Sequence, residues 1–264
     1  MQLIPFSIAK KIARSLLARR GWVLVPKSQY EYGYGYGHDP YRDIARLTEE
    51  WGSPIEIFFD IGANEGQTVT EALRIFPAAR VFSFEPHPIT FEILKSNFGN
   101  DGRVACYNIA LSNKNGTTVM YEYSESTINS LTSKARYAVR QEQKIIGRVS
   151  VKVSSLDCFC KDKNIDRIDV LKIDTEGHEL EVLKGAVNLL SSQKIRYIYA
   201  EFNELLPANG VIGGALCPIA EIIYPFGYRF IATYNDYLHL DGDLLVISNV
   251  LFAQPPQGRD APRT

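Results

Sequence analysis

Cysteine is scarce in this sequence and carries no pattern. The four residues, Cys106, Cys158, Cys160 and Cys217, form no CxxC pair and no Cys/His cluster with the spacing of zinc ligands. That excludes a patterned zinc site and leaves a reduced, cytoplasmic protein with free thiols as the expectation. Long apolar runs are missing too. No stretch reaches the roughly 18 residues that a membrane-spanning helix needs. Charge of one sign is not in excess: the formal net charge is -1, so no basic field attracts nucleic acid, and none is expected as a partner. Hydrophobic residues at 45% and charged residues at 22% instead furnish a core and a solvated surface. The 264 residues suffice for one large α/β domain with additions, not for two domains of about 150 residues each.

What is present divides the chain into an extension, a domain and a tail. Residues 1–50 read as a helical and loop extension. Within it Ile8, Ile12, Leu16 and Leu17 recur at helical spacing among Lys10, Lys11, Arg14, Arg19 and Arg20. The charges interrupt any signal-peptide apolar core. This basic amphipathic helix either packs on the domain that follows or makes a weak peripheral contact with a membrane. Tyr30–Tyr36, reading YEYGYGY, favours a loop whose tyrosines either stack on a sugar or aromatic ligand or lie on the surface. Asp39-Pro40 begins a helix with Tyr41, Ile44, Ala45 and Leu47 on one side.

Residues 51–253 form the domain. Strands at Ile55–Phe59, Arg80–Phe84, Val104–Tyr107, Asp169–Ile173 and Arg196–Glu201 alternate with helices at Thr68–Ile75, Ile89–Asn97 and Glu179–Leu190. That rhythm belongs to βαβ units and a parallel sheet with helices on both faces. Thr117–Tyr123 and Val149–Val153 break it as strands without a helical crossover. The polar segment 124–147 between them, with Ser126 to Leu131 at its start, reads as an insertion over the active edge of the sheet. Tyr228–Ala232 and Asp243–Ile247, joined by an Asp/Gly-rich link, suit an antiparallel C-terminal hairpin. Residues 254–264, rich in proline and polar side chains, are expected to be a disordered tail.

The strongest local feature is FFDIGANEGQT, Phe58 to Thr68. A buried strand ends at Asp60, and a glycine-rich turn opens a helix. Gly62 permits the sharp turn and Gly66 a close approach at the helix start, with Asn64 where GxGxxG has its second glycine. Backbone amides at a helix N-terminus can hold a carboxylate or a phosphate. Glu85 ends the next strand, 25 residues after Asp60. An acid there can accept hydrogen bonds from both ribose hydroxyls, and it would repel the extra phosphate of NADP. Asp60 is expected to face the positive amino or sulfonium end of a cofactor.

FFDIGANEGQT, FEPHP, NIALS, LKIDTEGHELEVLKGA and AEFNE occur in this order. From Phe58 to Glu204 the sequence resembles the FkbM-type methyltransferases. The resemblance implies a Rossmann-like, class I methyltransferase fold: an α/β, seven-stranded and mostly parallel sheet with an antiparallel C-terminal hairpin. It also implies S-adenosylmethionine as cofactor and O-methylation of sugars, glycans or polyketide-like natural products. By the same resemblance Asp60, Gly62, Asn64 and Gly66 hold the methionine part, Glu85 the ribose, and Asn108 and Ala110 the adenine, largely through backbone contacts.

Asp174 falls at the end of the strand that begins at Asp169, Glu176 in the turn after it, and His178 at the start of a helix; Glu201 and Asn203 end the next strand. Ligands of open α/β sheets bind outside such strand ends. Asp174, Glu201 and Asn203 can therefore converge there as oxygen ligands of Mg²⁺. His178 is the candidate general base, with Asp174 and Glu201 beside it. Glu176 and Glu179 also suit a helix N-terminus electrostatically. Lys172 is either an ion-pair partner or an active-site residue. The Asn/Asp-Pro-Pro-aromatic turn of many amino-group methyltransferases is absent, since the turn reads Asp174-Thr175-Glu176-Gly177. Two alternatives stand beside the enzyme: a scaffold that binds S-adenosylmethionine without catalysis, and a nucleotide-dependent oxidoreductase.

Overall fold

The computed structural model describes residues 36–124, 129–131, 144–205, 216–240 and 244–256, with the side chains of 203–205, 235–240 and 244–247 not described. The expected basic helix, most of the tyrosine-rich run, most of the insertion and the tail beyond Pro256 lie outside these residues.

Helix α1 (Pro40–Trp51) starts where the Asp39 carboxylate accepts the Tyr41 and Arg42 N–H groups, and it stops at Gly52 in the left-handed region. Then come β1 (Ile57–Ile61), α2 (Gln67–Ile75), β2 (Arg80–Phe84), α3 (Pro88–Phe98) and β3 (Val104–Tyr107). Three strands follow with no long crossover helix: β4 (Ala110–Ser112), β5 (Gly116–Tyr123) and β6 (Ile145–Ser155). The chain continues through α4 (Leu156–Asp162), β7 (Ile168–Ile173), α5 (Glu179–Lys184), α6 (Val187–Ser191) and β8 (Ile195–Leu205). It ends in α7 (Leu216–Ile223), β9 (Arg229–Leu240) and β10 (Leu244–Ala253).

The main sheet has seven strands in the order β3-β2-β1-β7-β8-β10-β9. The first five run parallel, while β10 is antiparallel to β8 and β9. The order reverses between β1 and β7, and that switch point opens a crevice at the strands' C-terminal ends. Alternate residues of each central strand feed opposite cores. Phe58, Val170, Tyr197 and Leu251 pack with Ile44 and Leu47 of α1 and Val69 and Ala72 of α2. Phe59, Leu171, Ile198 and Phe252 pack with Phe159 of α4, Leu183 of α5 and Ile219 of α7. Both faces are buried, so these strands read as near-continuous apolar runs.

Several boundaries differ from the sequence reading. The strand expected at Ile55–Phe59 lies at Ile57–Ile61. Before it, the Asp169 carboxylate accepts the Glu56 and Ile57 N–H groups at 2.7 and 2.8 Å, which fixes where pairing begins. The helix expected over Glu179–Leu190 is two short helices with Gly185 at the break. A Cβ on Gly185 would stand 1.9 Å from the Ser112 carbonyl oxygen, so a close approach of β4 sets the break. The strands flanking the insertion join β4 in a separate sheet, order β4-β6-β5, and β6 takes Ile145 to Gly147 out of the insertion. The hairpin strands β9 and β10 are about twice the expected length. Helices α4, capped by Ser155, and α7 were not anticipated. Among the described residues no helix is long and apolar enough to cross a membrane.

Candidate active site

A cavity of about 300 Å³ opens above the switch point, at the lower end of the range for small-molecule sites. Its walls come from the loops after β1, β2, β3 and β7, and from Asn129, Ser130 and Leu131 of the insertion. At one end stand Asn64, Glu85, His87 and Thr90; at the other, Lys172, Asp174, Glu176 and His178.

The first loop is built by close approach. Gly62 has φ +83°, and a Cβ there would lie 1.7 Å from the Asp174 carbonyl oxygen. Gly66 has φ +101° and sits against the Phe98 ring of α3, where a Cβ would come within 2.1 Å. Asn64 is also left-handed, at φ +48°. The amides expected to bind an anion are largely used inside the fold. Gly62 and Ala63 donate to the Phe84 carbonyl and Gly66 to the Ala63 carbonyl. Gly62 and Asn64 line the cavity, whereas Gly66 serves by packing.

Glu85 lies at the end of β2, only 6% exposed. One carboxylate oxygen accepts the Asn64 N–H at 3.0 Å and the other the His87 N–H at 2.8 Å. Each oxygen keeps a lone-pair direction for a further donor. Burial pushes this carboxyl up to about 7, against the pull of those two N–H groups. Asn108 does not reach the cavity lining. Its amide donates to the Glu85 and Pro86 carbonyls at 2.9 and 3.0 Å and so holds the turn that presents Glu85. Ala110, with Ile109 and Leu111, does line the cavity.

Asp60 corrects the expectation placed on it. It is fully buried, lies outside the cavity lining and meets Lys172 at 3.6 Å, beyond hydrogen-bond reach. It sits beside Lys172 in register, on the sheet face that carries α1 and α2. Lys172, 5% exposed, bonds Asp174 at 2.9 Å. Burial pulls its ammonium pKa down, but Asp174 and Asp60 together hold it above the ordinary value. Lys172 is thus an ion-pair partner that also faces the cavity.

Asp174, Glu176 and Glu201 bring one carboxylate oxygen each within 4.8 Å of one another. Glu201 is buried, and its Oε2 has no hydrogen-bond partner among the described residues. Burial and then Asp174 and Glu176 raise its pKa well above the usual carboxylate range. The backbone of Asn203 pairs with Ile247 in the sheet, and its side chain lies outside the described residues; the third acid of the cluster is Glu176. Glu176 (φ +55°) and Gly177 (φ +94°) are both left-handed, a turn that β7 and α5 alone would not hold. Glu179 holds it from below, where its Oε1 accepts Thr175 N–H, Thr175 O–H and Gly177 N–H. Ser130 holds it from above, donating to the Glu176 carbonyl at 2.8 Å. His178 lines the cavity with Nε2 at 2.9 Å from Ser112 Oγ, and burial lowers its pKa.

His87 was missed in the sequence. Its ring bridges Thr90 of α3 and Glu122 of β5, at 3.0 Å on each nitrogen. A histidine two residues after the strand-end acid was the available signal.

Strand order, glycine turn and strand-end acid define a class I methyltransferase, whose methyl donor is S-adenosylmethionine. Residues 60–230 match the Methyltransferase FkbM domain, and the chain belongs to that family. The 2-O-methyltransferase NoeI of Sinorhizobium fredii is 26% identical over 201 residues, 70% of this chain and 79% of the relative. Hexuronic acid methyltransferase AglP of Haloferax volcanii is 32% identical over 163 residues, 61% of this chain and 62% of the relative. The 31-O-demethyl-FK506 methyltransferase FkbM of Streptomyces tacrolimicus is 26% identical over 204 residues, 68% of this chain and 75% of the relative.

Proposed function

We propose that this protein methylates a hydroxyl oxygen of a sugar, glycan or polyketide-like natural product. The observation that carries the reading is a single cavity with Glu85 at one end and Asp174, Glu176 and His178 at the other. Relatives named for 2-O and 31-O positions and for a hexuronic acid support an oxygen acceptor of this kind.

The residues fit the methyl donor. Glu85 offers its remaining lone pairs to ribose hydroxyls, and Gly62 and Asn64 form the wall beside it. Ala110 and Ile109 flank the space beyond, suited to a flat base. The acid-rich end complements a cationic amino or sulfonium group. When bound, S-adenosylmethionine supplies an electrophilic methyl group on that sulfonium.

His178 is the candidate base. Ser112 Oγ lies 3.4 Å from Asn113 Oδ1, and a hydroxyl turned toward that oxygen accepts from His178 Nε2–H. The tautomer then leaves the Nδ1 lone pair to take the acceptor's proton. Its lowered pKa keeps the ring neutral and able to do so. Asp174 and Glu201 would hold Mg²⁺, a hard cation suited to carboxylate oxygens. When bound, it would stabilise negative charge developing on the acceptor oxygen.

Calorimetry with S-adenosylmethionine, S-adenosylhomocysteine and NAD, followed by a labelled-methyl screen of sugars and macrolide-type polyketides, tests the reading. The expected result is binding of both adenosyl compounds, label on an acceptor oxygen, and turnover lowered about 100-fold in His178→Ala with S-adenosylhomocysteine binding kept. Binding of NAD alone would replace the reading with an oxidoreductase.

A further inference from the structure

The acidic cluster and the insertion meet at one residue, Glu176. Glu201 is 8% exposed, and its buried Oε2 has no hydrogen-bond partner among the described residues. Such an oxygen costs a few kcal/mol unless a proton or a cation satisfies it. Asp174 reaches Lys172 with Oδ2 at 2.9 Å, which leaves its other oxygen for the cluster. Among the described residues Lys172 meets Asp60 at 3.6 Å and Asp174 at 2.9 Å, and Glu201 adds a further buried carboxylate. The three oxygens lie within 4.8 Å of one another, and drawing together toward the roughly 3.0 Å between adjacent oxygens of an Mg²⁺ shell would bring them onto one cation.

The insertion controls whether the third acid is in place. Asn129 Oδ1 accepts the Tyr123 N–H at 3.0 Å. Ser130 exchanges both backbone hydrogen bonds with Tyr121 of β5. Its side chain then reaches across the cavity to the Glu176 carbonyl, and Ser130 itself is 1% exposed. One buried hydroxyl thus fastens the left-handed turn that carries Glu176 to the small sheet.

We infer that Asp174, Glu176 and Glu201 form the divalent-cation site of this enzyme, with Glu176 in the third ligand place, and that Ser130 is the positioning residue that holds Glu176 there. The inference rests on the cation reading of the proposed function and extends it to a ligand and a support that the sequence did not assign. Oxygen-only donors select Mg²⁺ or Mn²⁺ over zinc. Removing a support of this type typically weakens metal binding by about 10- to 100-fold.

The test titrates Mn²⁺, read by electron paramagnetic resonance, and S-adenosylhomocysteine, read by calorimetry, into the same preparations of full-length protein. One Mn²⁺ site is expected in the wild type, lost in Glu176→Gln and Glu201→Gln. Ser130→Ala should bind Mn²⁺ about 10-fold more weakly, Ser130→Thr should restore it, and every variant should still bind S-adenosylhomocysteine, with Ser130→Ala weakened for Mn²⁺ alone. Retained S-adenosylhomocysteine binding certifies that each variant is folded. Wild type that binds S-adenosylhomocysteine but no Mn²⁺ overturns the cation site alone and leaves Glu201 as a protonated acid. Failure to bind either ligand overturns the methyltransferase reading itself. Mn²⁺ binding that survives Glu176→Gln overturns the ligand set. Equal weakening of both ligands in Ser130→Ala reduces Ser130 to a structural residue and overturns its positioning role.

Discussion

Glu85 shows how one side chain serves binding at the expense of stability. Its carboxylate is buried and accepts two backbone N–H bonds, yet burial wins and pushes its pKa up to about 7. From the ordinary carboxylate range up to about 7, the folded chain keeps a proton that the unfolded chain has lost. Stability therefore falls as pH rises through that window, by at most roughly 3 kcal/mol. Glu85→Gln removes the titration. Its melting temperature should gain on the wild type between pH 5 and 8, while its affinity for S-adenosylhomocysteine falls about 10-fold or more through the lost acceptor. Parallel melting curves across that pH range, or unchanged affinity, would show that Glu85 neither titrates as argued nor holds the ribose. Asp60 makes the complementary case. It is the acid that ends the preceding strand, but it is fully buried beside Lys172 and lies outside the cavity lining.

Among elements, the ends of the strands divide the labour. At the C-terminal ends lie the strained turns and acids of the site. At the opposite ends, Asp169 of β7 ties three strands together: it accepts from Glu56 and Ile57 at the start of β1 and from Arg196 of β8 at 2.8 Å. Arg196 in turn donates to the Ser53 and Pro54 carbonyls. Asp169→Asn should cost about 1.5–3 kcal/mol, the range for hydrogen bonds to a charged group. In urea denaturation the midpoint should fall with the slope unchanged, and methyl-donor affinity should hold because the site is at the far end of the strands. This division also explains what was legible. Strand positions, the glycine turn, Glu85 and Asp174 are visible because period and spacing mark them. The break at Gly185 depends on the Ser112 carbonyl, and the turn at Glu176 depends on Ser130. Contacts between residues so far apart leave no local signal, so the break was missed, and the turn was read without its support. Helix α4 had a local signal, Ser155 as N-cap, but it is only seven residues long and carries little periodicity.

At the scale of the whole molecule, the site is where separate parts are tied together. Helix α1 lies before the matched family region, yet it packs in the same core as α2, and its Asp43 accepts the Tyr234 hydroxyl of β9 at 2.8 Å. The small sheet grips the cofactor end through His87–Glu122 and the acidic end through Ser130–Glu176. A ligand that fills the cavity touches loops from both sheets, so it should stabilise them as one body. At 100 times its dissociation constant a ligand that binds only the folded chain adds about 2.7 kcal/mol. For a chain of this length that raises the melting temperature by roughly 5 °C. S-adenosylhomocysteine should therefore move a single calorimetric transition upward as a whole, and Glu85→Gln should remove most of the shift at the same ligand concentration. Two transitions, of which only one responds, would mean that the small sheet or the C-terminal hairpin melts on its own. The coupling drawn from His87 and Ser130 would then be too weak to make the insertion part of the site.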